Sequence, residues 1–215
     1  KENRLMQFKI QKGSGLKGEI TVPGDKSISH RAIMLASLAD GKSEISGFLE
    51  GEDCLATIEV FQKMGVIISR HEKNFVIEGK GLKGLKEPSS PLNFGNSGTS
   101  VRLCSGVLAA QNFPTTLIGD SSLSSRPMTR ITEPLGLMGA NTSSTEEGTL
   151  PIQIEAVDSL KSIKYSLPVA SAQVKSCLLF AGLYSQGITD IEEKIATRDH
   201  TERMFRQFGI PINIS

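Results

Sequence analysis

Basic and hydroxyl side chains cluster in the segment 23–31, where a polar turn leads into an apolar stretch. Lys26 and Arg31 flank Ser27 in the sequence Pro-Gly-Asp-Lys-Ser-Ile-Ser-His-Arg. An ammonium group, a bidentate guanidinium group and a hydroxyl at the start of a helix are typical of a phosphate or carboxylate site. The spacing is not that of a Walker loop. A capped helix with two solvated charges is the alternative interpretation.

Two further polar turns precede apolar stretches, at residues 95–99 (Gly-Asn-Ser-Gly-Thr) and 170–173 (Ala-Ser-Ala-Gln). The glycines of the second turn allow a close backbone approach to a ligand, and the third turn supplies a hydroxyl and an amide. Arg126 and Arg198 each come just before a predicted outer helix, where either one alone is more often a surface residue. If the three turns converge, these groups form one anion site. An ordinary set of helix caps is the alternative.

The elements that must position these groups are three apolar helices, predicted at 29–39, 99–110 and 172–185. Helices that are apolar on every face are buried helices. Each carries basic residues in its first turn, where they do not complement the helix dipole. Arg31, Arg102 and Lys175 occupy these positions, and we expect them to serve an anion bound in front of the helices.

Amphipathic outer helices are predicted at 52–64 and 199–208, with Pro127 suited to the start of another. Gly65, Gly139 and Gly209 close these helices at regular intervals. Such recurrence indicates one supersecondary unit present three times. Alternation predicts a hairpin over residues 7–22. The predicted strands lie at 44–47, 74–78, 115–118, 152–154 and 189–191.

Composition excludes several classes of protein. The 215 residues carry 24 basic and 23 acidic side chains, so no net field draws the chain to nucleic acid or membrane. No apolar run reaches the length of about 18 residues that suggests a membrane span. Three separated cysteines carry no metal spacing and suit a reducing cytosol. Cys104 and Cys177 are predicted to be buried, and Cys54, near a helix start, has a reactive thiolate as its alternative interpretation.

The chain closely resembles the 5-enolpyruvylshikimate-3-phosphate synthase family, in its second, largely bacterial class. The resemblance runs from about Gly18 to Phe208 and includes five motifs in order. They are Pro-Gly-Asp-Lys-Ser-Ile-Ser-His-Arg at 23–31, Gly-Asn-Ser-Gly-Thr at 95–99, Arg-Pro-Met at 126–128, Ala-Ser-Ala-Gln-Val-Lys at 170–175 and Thr-Arg-Asp-His-Thr-Glu at 197–202. That class is associated with tolerance of glyphosate, although tolerant members often carry Ala where this chain has Gly98.

The resemblance implies transfer of the enolpyruvyl group of phosphoenolpyruvate to the 5-hydroxyl of shikimate 3-phosphate, with release of phosphate. Lys26 would contact both substrates and is the candidate catalytic residue. The implied shikimate 3-phosphate ligands are Lys26, Ser27, Arg31, Ser171, Ala172, Gln173 and Arg198. The implied phosphoenolpyruvate ligands are Lys26, Asn96, Gly98, Thr99, Arg126 and Gln173. No cofactor and no metal are implied.

The resemblance also implies an α/β fold, an inside-out barrel of three βαβαββ repeats with buried parallel helices. Residues 24–215 would be this domain, the N-terminal half of a cytoplasmic enzyme that is monomeric at full length. Residues 1–23 would belong to the other domain, which would supply the acid–base carboxylates. Two alternatives are a UDP-N-acetylglucosamine enolpyruvyl transferase, disfavoured by Ser27 and by a loop 119–126 without Cys, and a non-catalytic phosphometabolite-binding module.

Overall fold

Three apolar helices form the centre of an α/β fold, which a computed structural model describes for residues 8–214. These are α1, α3 and α6, and almost every residue after their first turns is buried. In chain order the helices are α1 (Lys26–Leu38), α2 (Glu52–Lys63), α3 (Gly98–Leu108), α4 (Ser121–Ser124), α5 (Thr129–Leu137), α6 (Ala172–Gly182) and α7 (His200–Gln207). The three predicted apolar helices are confirmed, with their ends shifted by a few residues.

Each central helix begins at a side-chain cap in one of the three polar turns. The cap oxygen accepts the N–H of the residue three positions later, at 2.8 Å for Asp25, 3.2 Å for Ser97 and 3.3 Å for Ser171. Such a cap satisfies one of the N–H groups that a helix start leaves without an acceptor. In α3 the N–H of Gly98 is satisfied as well, by the carbonyl oxygen of Asn96 at 3.0 Å.

Short strands flank the helices in separate small sheets. One sheet has the order β1-β3-β2 and is antiparallel, and another has the order β4-β5-β7-β6, in which β4 and β5 are parallel. Two parallel pairs, β8 with β10 and β9 with β11, complete the pattern. The strands are β1 (Asp40–Ile45), β2 (Ile67–His71), β3 (Asn74–Lys80), β4 (Leu92–Asn93), β5 (Thr115–Ile118), β6 (Thr142–Ser143), β7 (Ile152–Ile154), β8 (Leu160–Lys161), β9 (Lys164–Ser166), β10 (Ser185–Gln186) and β11 (Asp190–Glu192).

The outer helices α2, α5 and α7 bury one face each and end at glycine. Gly65, Gly139 and Gly209 have φ angles of 85°, 92° and 72°, a region that side chains other than glycine rarely adopt. The prediction that these glycines close the helices is therefore confirmed. The predicted helices over 52–64 and 199–208 are confirmed as α2 and α7. Helix α5 begins at Thr129, two residues after Pro127.

Close backbone contact between α3 and α6 brings two of the polar turns together. Gly106 lies so near α6 that a Cβ atom added to it would stand 2.1 Å from the carbonyl oxygen of Cys177. Only glycine permits this separation, because a side chain would overlap with backbone atoms that cannot turn aside.

The predicted hairpin is wrong over the residues that the structure describes. Residues 8–25 contain no strand, and Phe8 and Ile20 are more than four-fifths exposed. A two-stranded hairpin is marginal unless its apolar side packs on a further layer, and this segment adds no strand to the described sheets. Gln7, the first residue of the predicted hairpin, lies outside the described residues, as do residues 1–6 and Ser215.

The cysteines are all buried and free. Burial and the neighbouring Asp53 carboxylate raise the pKa of Cys54 to about 11, so the reactive-thiolate alternative is contradicted. The predicted burial of Cys104 and Cys177 is confirmed. Among the described helices, none combines the length and the hydropathy that crossing a lipid bilayer requires.

Candidate anion-binding site

The N-terminal end of α1, which we call its mouth, presents Lys26 and Ser27. The ammonium Nζ of Lys26 lies 2.5 Å from Oδ2 of Asp53 in the first turn of α2, and about half of the lysine side chain is exposed. Nη1 of Arg198, just before α7, donates to the hydroxyl of Ser27 at 3.3 Å. The first predicted turn therefore meets the segment that precedes α7, and the cationic groups of Lys26 and Arg198 face solvent.

Arg31 points inward from the same helix and is 2% exposed. Its guanidinium donates to Oγ1 of Thr201 at 2.6 Å, to Oγ of Ser176 at 2.7 Å and to the carbonyl oxygen of Ser27 at 2.9 Å. Burial lowers the pKa of Arg31 to about 10, and the nearby Glu202 carboxylate opposes that shift. Arg31 thus remains charged at neutral pH and links α1 to α6 and α7 beneath the surface.

The second turn places Asn96 between Arg126 and Asp120. Nη2 of Arg126 donates to Oδ1 of Asn96, and Nδ2 of Asn96 donates to Oδ2 of Asp120 at 2.8 Å. The N–H of Leu123 and the Asn96 amide hold the pKa of Asp120 below its usual range. Gly98 leaves room for this arrangement, because an added Cβ would lie 3.0 Å from Nη1 of Arg126.

The second and third turns are joined through the side-chain amide of Gln173. Its Nε2 donates to Oγ1 of Thr99 at 3.1 Å, and its Oε1 accepts from Nη1 of Arg102 at 3.2 Å. Arg102 also donates to the carbonyl oxygens of Gly98 and Pro127, at 3.1 and 3.0 Å. Burial lowers the pKa of Arg102, and so do the charges of Arg130 and Arg126. A bound anion would relieve the repulsion among these guanidinium groups.

Buried His30 connects the mouths of α1 and α3. Its Nδ1 lies 2.7 Å from Oγ1 of Thr57, and its Nε2 lies 3.3 Å from Oγ of Ser97, the cap of α3. Thr57 in turn bonds Ser100 at 2.7 Å. Burial lowers the pKa of His30 to about 4, so the ring is neutral at pH 7 and fixes the second turn without adding charge.

The third turn contributes Ser171 as a cap and Ala172 as the first residue of α6. The N–H groups of a first helical turn carry partial positive charge and point towards the helix mouth. With Gln173 they supply hydrogen-bond donors and no formal charge. A formal charge is supplied by Arg102, whose Nη1 donates to Oε1 of Gln173 at 3.2 Å.

The prediction that Lys175 faces an anion bound in front of α6 is wrong. Its ammonium lies 2.7 Å from Glu193 and 2.6 Å from Glu202, so its partners are carboxylates of this chain rather than a ligand in front of α6. Sequence reasoning also missed Asp53 as the partner of Lys26 and Asp120 as the partner of Asn96. Asp53 stood in the sequence only as a polar position of an amphipathic helix, and nothing in its spacing pointed to Lys26.

The arrangement can bind and orient an anionic molecule. Side chains from all three turns are joined by direct contacts, although Lys26 itself bonds α2 rather than the second or third turn. Within residues 8–214, no group of three or more His, Cys, Asp and Glu side chains is placed to hold a metal ion. The exposed side chains of Lys26, Asn96 and Arg198 leave the mouth open to solvent.

The comparisons with known proteins agree with one another. The sequence model of the family described as EPSP synthase (3-phosphoshikimate 1-carboxyvinyltransferase) matches residues 10–215. A curated relative from Hydrogenovibrio crunogenus, named 3-phosphoshikimate 1-carboxyvinyltransferase, is 56% identical over 208 residues, which are 96% of this chain and 47% of the relative. A relative of the same name from Methylococcus capsulatus is 58% identical over 206 residues, 95% of this chain and 47% of its own length.

A solved structure shows the same agreement in three dimensions. The EPSP synthase of Acinetobacter baumannii superposes with a TM-score of 0.89 at 53% identity, covering 92% of this chain and 45% of the solved one. The chain therefore spans about half the length of the curated relatives and of the solved structure that it matches.

Proposed function

The chain belongs to the EPSP synthase family, and on that premise we propose that it is the substrate-gripping half of a 3-phosphoshikimate 1-carboxyvinyltransferase. The whole enzyme would join the enolpyruvyl group of phosphoenolpyruvate to the 5-hydroxyl of shikimate 3-phosphate and release inorganic phosphate. The names of the relatives do not favour the UDP-N-acetylglucosamine alternative.

One observation carries the proposal. Hydroxyl, amide and guanidinium groups from separate predicted segments are in hydrogen-bond contact, as Ser27 is with Arg198 and Gln173 is with Thr99. Shikimate 3-phosphate offers a dianionic phosphate and a carboxylate, which such donors bind with charge-assisted hydrogen bonds. Its proposed ligands are Lys26, Ser27, Arg31, Ser171, Ala172, Gln173 and Arg198.

Phosphoenolpyruvate would lie towards the second turn. The guanidinium of Arg126, held by Asn96, would bind the anionic groups of this substrate, and Gly98 keeps the space in front of it open. Lys26 would reach both molecules because its long side chain is half exposed at the mouth of α1. The proposed ligands on this side are Lys26, Asn96, Gly98, Thr99, Arg126 and Gln173.

The chemical contribution of this half is binding, orientation and charge neutralisation. Lys26 is its candidate catalytic residue, since an ammonium shared by both substrates stabilises negative charge that shifts between them. The acid–base carboxylates and the closing motion would come from a second domain. The exposed N-terminal ends of the three central helices are consistent with a site that the second domain would cover.

The finer architecture is part of the same proposal. We infer three βαβαββ units around buried parallel helices, an inside-out α/β barrel, from the three capped helices and the three helix-closing glycines. Residues 24–215 would form this domain, and residues 1–23 would pack with the second domain. The full-length enzyme would be a cytoplasmic monomer that needs no cofactor or metal and binds neither nucleic acid nor membrane.

Calorimetric titration of this chain with shikimate 3-phosphate tests the proposal. We expect saturable binding, with weaker binding of shikimate, which lacks the phosphate. Arg198→Ala should weaken shikimate 3-phosphate binding by about 10-fold or more, because it removes a charged hydrogen-bond donor. Arg206→Ala, which removes the same charge from the exposed last turn of α7, is the matched control. Equal binding by all three proteins, or phosphate release from the two substrates by this chain alone, would contradict the proposal.

A further inference from the structure

A cluster of three charges, two of them buried and one half-buried, lies behind the N-terminal end of α6. Nζ of Lys175 is 2.7 Å from Oε1 of Glu193 and 2.6 Å from Oε1 of Glu202, and the three side chains are 7%, 20% and 9% exposed. Charges removed from water are costly unless they are paired at close range. The three side chains therefore hold one another in fixed positions, and the proposed substrate contacts use none of them.

The cluster ties together three separate parts of the chain. Lys175 lies in the first turn of α6, Glu202 lies in the first turn of α7, and Glu193 directly follows β11. The second oxygen of Glu193 accepts from Oγ1 of Thr197 at 2.7 Å. One carboxylate thus binds α6 with one oxygen and the segment before α7 with the other.

The segment that Glu193 holds carries Arg198. Arg198 directly follows Thr197, and its guanidinium donates to the hydroxyl of Ser27 at the mouth of α1. Its side chain is exposed, so its own packing does little to fix its position. The short loop 193–199 would otherwise be free to carry the guanidinium away from α1. The Lys175–Glu193–Thr197 chain of contacts prevents this.

We propose that Lys175 and Glu193 are positioning residues, which act through Thr197 to hold the Arg198 guanidinium where it binds the phosphate of shikimate 3-phosphate. This inference rests on the proposed function, since it concerns the same substrate. The residues touch no reacting group themselves.

The charge state of the cluster is consistent with this role. Burial alone would lower the pKa of Lys175, but its hydrogen bonds to Glu193 and Glu202 outweigh that effect and raise it. Burial would raise the pKa of Glu193, but the bonds from Lys175 and Thr197 lower it. Lys175 and Glu193 are therefore both charged at neutral pH. Glu202 also faces Arg31, so without Lys175 two uncompensated carboxylates would compete with the substrate for the arginines.

Calorimetry of the full chain with shikimate 3-phosphate tests the inference in a double-mutant cycle. Glu193→Gln removes the charge that links Lys175 to the loop, and Arg198→Ala removes the group being positioned. We expect Glu193→Gln alone to weaken binding by about 10-fold to 100-fold, the loss that a misplaced contact group produces. In the Arg198→Ala background the same substitution should have no further effect, because nothing remains to be positioned.

Two neighbouring variants separate positioning from stability. Thr197→Val removes only the hydrogen bond from the hydroxyl to the Glu193 carboxylate and should weaken binding in the same way, whereas Thr197→Ser keeps the hydroxyl and should restore it. Glu192→Gln removes the same charge one residue earlier, from an exposed side chain, and should bind like the wild type. Thermal melts are recorded for each protein, and if Glu193→Gln fails to fold, the Thr197 pair decides.

The outcomes distinguish this inference from the proposed function. A wild-type chain that does not bind shikimate 3-phosphate would overturn both. Normal wild-type binding, weakened by Arg198→Ala but unchanged in Glu193→Gln and Thr197→Val, would overturn the positioning role alone. Additive losses in the double variant would also overturn it, because Glu193 would then act independently of Arg198.

Discussion

The ammonium of Lys26 and the carboxylate of Asp53 form an ion pair, with Nζ and Oδ2 separated by 2.5 Å. The two residues occupy the first turns of α1 and α2, so the pair joins a central helix to an outer one. The lysine side chain is 54% exposed and the aspartate 22%, and water therefore weakens their attraction. Asp53 keeps Lys26 at the mouth of α1, and it competes with any substrate anion for the same ammonium.

Asp53→Asn should make the chain bind shikimate 3-phosphate more tightly, because the substitution frees the ammonium for the ligand. The expected gain is about two-fold to five-fold, the range of a partly exposed ion pair, with little change in melting temperature. Titration calorimetry at low and high salt measures the gain, which should shrink as salt rises. Glu59→Gln, which removes an exposed charge from the same helix, is the control. Weaker binding by Asp53→Asn would contradict the view that Asp53 competes with the substrate for the Lys26 ammonium.

Gln173→Glu should separate binding from stability. The new carboxylate would stand where Oε1 of Gln173 now accepts from Arg102 at 3.2 Å, so folding gains an ion pair and the melting temperature should hold or rise. Binding of shikimate 3-phosphate should fall by about 10-fold or more, because a negative charge at the mouth of α6 repels the phosphate. Gln62→Glu adds the same charge on the exposed face of α2. An equal loss of shikimate 3-phosphate affinity in Gln62→Glu would contradict this prediction, because net charge alone would then explain the loss.

Local signals made the framework predictable from sequence. Asp25 and Ser171 are residues that cap helices, and Gly65 and Gly139 are residues that close them, so the chemistry of single positions marked the element ends. The apolar character of the three central helices marked them as buried. These signals act over three or four residues and do not depend on the rest of the fold.

Long-range pairing was not predictable in the same way. Lys175 meets Glu193 and Glu202 only because the residue after β11 and the start of α7 both lie beside α6, and Lys26 meets Asp53 only because α2 packs on α1. A sequence lists such charges without stating which of them meet. The hairpin over 7–22 failed for a related reason, since alternation indicates a strand but does not supply the sheet that must bury it.

Acidification from pH 7 to pH 5 should destabilise the chain through His30. The pKa of this buried ring is about 4 in the folded state against 6.5 for an unperturbed histidine. The unfolded state therefore binds more protons between these values, and stability falls as the pH falls through that window. The expected loss from pH 7 to pH 5 is about 2 kcal/mol, by linkage. Urea unfolding at each pH measures it. His30→Gln should abolish most of this dependence, whereas the exposed His71→Gln should retain it.

Two glycine-to-alanine substitutions should have opposite effects on stability, because one glycine faces a backbone and the other faces open space. A Cβ on Gly106 would lie 2.1 Å from the carbonyl oxygen of Cys177, whereas a Cβ on Gly136 in α5 meets no atom within 4 Å. Gly106→Ala must force α3 away from α6 and should lower the free energy of unfolding by about 3 kcal/mol or more. Gly136→Ala should raise it by about 0.5 to 1 kcal/mol, since alanine favours the helix. Urea unfolding measures both.

Because the α3–α6 contact also sets the bond between Thr99 and Gln173, Gly106→Ala should weaken shikimate 3-phosphate binding under conditions where the variant is still folded. Unchanged stability in Gly106→Ala would mean that the two helices are not in backbone contact.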